Sequence, residues 1–135
     1  MKKNTLLFCF ALLFINCSSS DDDLQNSNSI NPPSWIQGTW LIEGVTTNSG
    51  FRFSNNDFCL VILTGQSCFK EQLNQLNKSG ATTKVNEMTV NNSYNIDITL
   101  SNQIVTYEFK QISATKIEWI NDPLGDLAET IYKKQ

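Results

Sequence analysis

"YNIDITLSNQIVTYEF", residues 94–109, alternates apolar and polar side chains through two runs parted by Ser101-Asn102. Tyr94, Ile96, Ile98 and Leu100 share one parity, and Asn95, Asp97 and Thr99 hold the other. In the second run, Ile104 to Lys110, the residues Val105, Tyr107 and Phe109 fall on one face. Successive side chains of a strand point to opposite faces, so a period of two means one dry side and one wet side. The stretch therefore predicts two strands joined by a turn, lying on a core.

The rhythm spreads both ways. Upstream, Thr83, Val85, Glu87 and Thr89 alternate with Lys84, Asn86, Met88 and Val90, and Asn91-Asn92-Ser93 turns the chain into Tyr94. Downstream, Lys116 to Ile120 puts Ile117 and Trp119 on one face. Asn121 to Asp126 reads as a broad turn and Leu127 to Lys134 as a last strand. Toward the N-terminus, Phe58 to Leu63 is a continuous apolar run with β-branched residues, the pattern of a core strand. Thr64-Gly65-Gln66-Ser67 breaks it. Phe51-Arg52-Phe53 is a short strand between turns at Asn48-Ser49-Gly50 and Ser54-Asn55-Asn56-Asp57, and Trp40 to Val45 opens the series.

One segment has another period. Phe69, Leu73 and Leu76 fall at i, i+4 and i+7, which predicts a short helix near residues 68–78. Ser67 is its expected N-cap and Ser79-Gly80 its stop. A single apolar stripe means that the helix lies on something and is not buried all round. Short strands at regular spacing predict a mainly β domain: a small up-and-down antiparallel β-barrel of about seven or eight strands with one helix. Closing such a meander removes its exposed edges.

The N-terminus obeys different rules. Met1-Lys2-Lys3 is basic, and Leu6 to Ile15 is an unbroken apolar run. About ten residues are too few to cross a bilayer core, which needs about 20. A basic start and a short apolar region form the layout of a secretion signal. Phe14-Ile15-Asn16-Cys17 resembles a bacterial lipobox, in which cleavage precedes a cysteine whose sulfur carries diacylglycerol. The resemblance implies that Cys17 is the lipidated first residue of the mature chain. Its acyl chains would hold the protein on a membrane at about 0.8 kcal/mol per buried methylene. Ser20-Asp21-Asp22-Asp23 resembles the export tag that sends Bacteroidetes-type lipoproteins to the outer face of the outer membrane. A polar, charged segment cannot support a core. The expected organisation is a signal at 1–16, a lipidated disordered tether at 17–33 with a stiff Pro32-Pro33 end, and a barrel domain at 34–135.

Composition narrows the function. The chain has Lys+Arg 10 against Asp+Glu 13, and Lys2 and Lys3 leave with the signal, so the mature charge is about −5. No basic patch stands out, and nucleic acid is not an expected partner. The absence of histidine from the sequence removes the usual general base and the commonest metal ligand. Of four cysteines, Cys9 leaves with the signal and Cys17 carries lipid. Cys59 and Cys68 remain in an oxidising compartment and are expected to form a disulfide, with two buried free thiols as the alternative. The bridge would close a loop of about ten residues, stabilising by about 2–3 kcal/mol. Two thiolates without histidine would leave a zinc shell half empty, so no metal is expected, and no cofactor. Most of Glu43, Asp57, Glu87, Asp97, Glu108 and Glu118 alternate with apolar neighbours and read as strand exteriors, and the glycines lack phosphate-loop spacing. No catalytic residue is assigned, and the chain is read as a non-enzyme.

Gly38-Thr39-Trp40, a few residues after Trp35-Ile36, resembles the G-x-W motif that opens lipocalins and related calycins. The rhythm from Tyr94 through Phe109 to Trp119 is also similar to the final hairpins of small lipocalin-like lipoproteins. The resemblance covers roughly residues 35–135. It implies an antiparallel barrel whose closed end is plugged by Trp40 beside Gly38 and whose other mouth admits a small apolar ligand. Lipocalins place an arginine of the last strand over that tryptophan; here the strand offers Lys133 and Lys134, and Arg52 is the only arginine in the sequence. The early helix is closer to fatty-acid-binding-protein geometry.

Two readings of function remain open. The protein is an outer-membrane, surface-facing lipoprotein whose barrel holds a small apolar ligand against Phe53, Tyr107, Phe109 and Trp119. The same residues could instead fill a narrow barrel, leaving a structural or interaction role. The alternative is a protein-binding module, similar to small lipocalin-like protease inhibitors or to an accessory subunit of an envelope complex.

Overall fold

The computed structural model describes residues 28–125 and 130–135. The expected signal at 1–16, Cys17, the tag residues Ser20, Asp21, Asp22 and Asp23, and the opening Leu127 of the expected last strand lie outside the described residues.

In chain order the described residues form β1 (Gly38–Ile42), β2 (Ser49–Phe53), β3 (Phe58–Ile62), β4 (Gly65–Cys68), α1 (Phe69–Lys78), β5 (Thr83–Val90), β6 (Ser93–Leu100), β7 (Gln103–Ser113), β8 (Lys116–Trp119) and β9 (Ile131–Lys134). The nine strands make one sheet in the order β4-β3-β2-β1-β9-β8-β7-β6-β5. Every neighbouring pair is antiparallel. The opening stretch forms the β6–β7 hairpin, with Tyr94 opposite Phe109 and Ile98 opposite Val105. Asn91 (φ 52) and Ser101 (φ 60) take the left-handed conformation in the two-residue turns on either side of β6.

The domain is thus mainly β, two antiparallel meanders joined where β1 meets β9. The sheet is a curled half-barrel with β4 and β5 at its two ends. The chain crosses from one end to the other through α1, which packs against both β3 and β5.

Four details differ from expectation. The strand count is nine because Gly65–Cys68 is a strand, not a break: it pairs with β3 from Cys59↔Cys68 to Ile62↔Gly65. Its side chains are mostly exposed, so it carried no apolar pattern. Gly50 sits inside β2, paired with Leu41 and Val61, not in a turn, and the position needs glycine because a Cβ there would collide with the carbonyl oxygen of Trp40. Ser67 is not the N-cap. Cys68 occupies that position without a side-chain bond, and Asp57 caps from the β2–β3 turn, its Oδ1 accepting from the Lys70 N–H at 2.9 Å and the Phe58 N–H at 2.8 Å. The helix does end at Ser79-Gly80, where the Ala81 N–H donates to the Leu76 carbonyl and the Gly80 N–H to that of Asn77.

The fourth detail is the lead-in before β1, expected to be tether up to residue 33. Ile30 is 2% exposed and belongs to the core, with Ile36 at 0%. The Asn31 N–H donates to both carboxylate oxygens of Glu87 on β5, at 2.9 and 3.0 Å. One isoleucine among polar residues has no period to announce it.

Candidate functional site

The concave face of the half-barrel is where a ligand was expected. Phe53, Tyr107 and Phe109 are buried there and Trp119 is half-buried. The structure does bring them together. Phe53 meets Phe109 edge-on at 5.2 Å between centroids, Tyr107 stacks on Phe109 at 6.3 Å, and Tyr107 lies 5.7 Å from Trp119. Edge and offset arrangements of this kind favour aromatic pairs beyond the area they bury.

The centre of the cluster is a residue not singled out from the sequence. Phe51 lies 4.9 Å from Phe109, 5.2 Å from Trp119 and 4.8 Å from Tyr132. Phe58 and Phe69 extend the cluster toward α1, 5.1 Å apart. Phe51 shares the parity of Phe53, and that was the available signal. The rings on this face touch one another.

Trp40 ends the concave face. It is 0% exposed, and its indole N–H donates to the Ile36 carbonyl at 2.5 Å. Lys134 lies over the ring with Nζ 5.1 Å from the centroid. Gly38 (φ +128) leaves room for the lysine stem, since a Cβ there would come within 2.6 Å of Lys134 Cε.

Several polar groups near the core are tied down, while Trp35 Nε1 is buried without a partner among the described residues. The Trp119 indole donates to Asn121 Oδ1, which also accepts from the Glu108 N–H, while Asn121 Nδ2 donates to the Thr106 carbonyl. The Tyr94 hydroxyl donates to Glu87 Oε1 at 2.6 Å. Burial, and then that carboxylate, push the Tyr94 phenol far above its ordinary range. Burial raises Tyr107 as well, and burial followed by the charge of Asp122 raises Tyr132. At the surface, the hydrogen bond from Lys116 at 2.7 Å lowers the Glu43 carboxyl.

Cys59 and Cys68 form the expected disulfide, on directly opposed positions of β3 and β4. Ligand atoms of Asp57, Cys59 and Cys68 lie within 4.8 Å of one another. The two sulfurs are bonded to each other and are therefore not thiolate ligands.

Three concavities lined by described residues lie elsewhere, and Phe53, Tyr107, Phe109 and Trp119 line none of them. One of these three, of 460 Å3, lies on the outer face of β1 to β4 and is lined by Leu41, Val61 and Arg52 among others. Gly50 stands between Leu41 and Val61 in the register, so no side chain fills the space between them. A second, 320 Å3, lies between the lead-in and α1, and a third, 210 Å3, on the outer face of β5 to β7.

Compared with known protein families, with curated proteins and with solved structures, the chain matches none.

Proposed function

We propose that this protein is a lipoprotein held on the outer membrane by lipid at Cys17, with a lipocalin-like domain that works as an interaction module through its outer surface. One observation carries the choice of surface over interior: Phe51 packs at 4.8 to 5.2 Å against Phe109, Trp119 and Tyr132, filling the face where an apolar ligand would sit. Ligand sites of drug size need about 300–1,000 Å3, and a ligand at this face would have to displace rings that already touch one another. The lipocalin-like assignment draws support from Trp40, buried near the start of the first strand beneath a basic residue of the last. The lipobox-like Cys17 and the run Ser20 to Asp23 support the anchor and the outward face.

The outer surface has what a protein partner would use. Ile62 and Leu63, 57% and 58% exposed, mark the tip of the β3–β4 hairpin beside the 460 Å3 groove. Exposed apolar groups beside a concavity are ordinary features of interaction surfaces. The partner class is an envelope or cell-surface protein.

The test is twofold. Membrane fractionation of wild type and Cys17→Ala reads the anchor: wild-type retention of the mutant removes it. Native mass spectrometry of the protein purified gently from its own host reads the interior. A mass two hydrogens below that of the reduced chain, with no small molecule attached, supports the filled core; a co-purifying apolar ligand overturns it.

A further inference from the structure

We infer that the groove between the lead-in and α1 is a saccharide-binding site. Its volume, 320 Å3, suits a ligand at the small end of the usual range, one or two sugar rings. Three separate parts of the chain build it: Asn28 and Asn31 from the lead-in, Asn56 from the β2–β3 turn, and Lys70, Asn74 and Asn77 from one face of α1. The last three fall at i, i+4 and i+7, on the flank of the helix next to the buried stripe of Phe69 and Leu73.

The chemistry of the lining selects the ligand class. Each asparagine amide offers one acceptor oxygen and two donor hydrogens. Neighbouring ring hydroxyls present the same mixture, so one amide can accept from a first hydroxyl and donate to the next. No carboxylate lines the groove, and its one charged group is the Lys70 ammonium. A metal ion or a cationic ligand is disfavoured by that charge, and an apolar ligand would leave the amides unpaired.

One further observation points to an absent partner, and a second leaves two amides free to meet it. Asn28 Oδ1 is buried and accepts no hydrogen bond among the described residues, a condition shared by Trp35 Nε1, which does not line the groove. Buried acceptors in that condition are uncommon. On the helix, Gln72 donates to Ser67 and Gln75 to Glu71, whereas the exposed Asn74 and Asn77 amides have no such bond among the described residues. Asparagine is also a poorer helix former than alanine, and packing does not demand it at exposed positions. No aromatic ring lines the groove, so affinity is expected in the millimolar range. The inference goes beyond the interaction reading and does not depend on the lipid anchor.

The test uses the detergent-solubilised full chain and saturation-transfer difference NMR. The probes are glucose, N-acetylglucosamine, galacturonate and, as a control, inorganic phosphate. Saturable signal from at least one sugar is expected. Asn74→Ala with Asn77→Ala should weaken it by at least about tenfold. Alanine favours the helix, and an unchanged circular dichroism spectrum checks the fold. Lys70→Met should affect galacturonate more than glucose if galacturonate binds. Silence from all three sugars overturns the inference. So does sugar signal unchanged in the double variant, and so does binding confined to phosphate, which would make the groove an anion site.

Discussion

Lys134 lies over the indole of Trp40, 5.1 Å from the ring centroid, on the position that directly opposes Trp40 in the β1–β9 pairing. The contact ties the first strand to the last. A cation over an indole face contributes about 0.5–2 kcal/mol according to how dry the site is. Lys134→Met keeps the stem and removes the charge, and should cost an amount in that range by urea unfolding, with Lys134→Arg near wild type. Equal loss in both variants would mean that the shape of the lysine stem matters and its charge does not.

Gly50→Ala should be among the most damaging single changes. The added methyl would meet the Trp40 carbonyl oxygen and the backbone of Leu41, where nothing flexible can yield. Parting β1 from β2 also disturbs Phe51. A loss of about 3 kcal/mol or more is expected, the size reserved for named steric faults. A variant within about 0.5 kcal/mol of wild type in a denaturant titration would show that the strands part at little cost.

All three tyrosines of the chain are pushed upward by burial. Unfolded, each would ionise near about pH 10. A phenol whose folded pKa is raised holds its full stabilising contribution below the unfolded pKa and loses it as pH climbs toward the folded one. Stability should therefore fall above about pH 10. Phenolate absorbance should rise in one cooperative step together with loss of far-ultraviolet dichroism. Independent early ionisation of the tyrosines, with the fold intact, would contradict their burial.

Glu87 joins the lead-in to the sheet through Asn31 and Tyr94. Glu87→Ala should cost about 1.5–3 kcal/mol, the range for hydrogen bonds to a charged acceptor. It should also speed hydrogen exchange at the Asn31 amide. Ile30→Ala, removing a core side chain, should cost about 2–5 kcal/mol. If deleting residues 28–33 leaves stability unchanged, the lead-in is a tether after all.

Reduction offers a further check. The Cys59–Cys68 bridge closes a short loop and ties the outermost strand β4 to β3 just ahead of α1. Replacing both cysteines by serine should cost about 2–3 kcal/mol. Two reactive thiols in the unfolded, unreduced wild type would deny the bridge.

How far the sequence was legible follows the strength of its periods. β6 and β7 were plain because Ile96, Ile98, Tyr107 and Phe109 alternate with polar residues over long strands that are wet on one side. β4 was invisible because Gly-Gln-Ser-Cys is exposed, and only its pairing with β3 makes it a strand. The cap from Asp57 to Lys70 spans 13 residues, beyond any local capping rule. Phe53, Tyr107, Phe109 and Trp119 do share one face, but parity says which face a ring takes and not what else the face holds. The amide groove draws on three distant segments and had no contiguous motif to find.

The position of β9 has a consequence for biogenesis. The last of the nine strands is the fifth in the sheet, between β1 and β8. Until Ile131–Lys134 is available, the two meanders have no shared ladder and stand as two unfinished halves. The nine-stranded sheet is therefore continuous only once its last strand is in place, and the pairing that completes it joins residues about ninety positions apart.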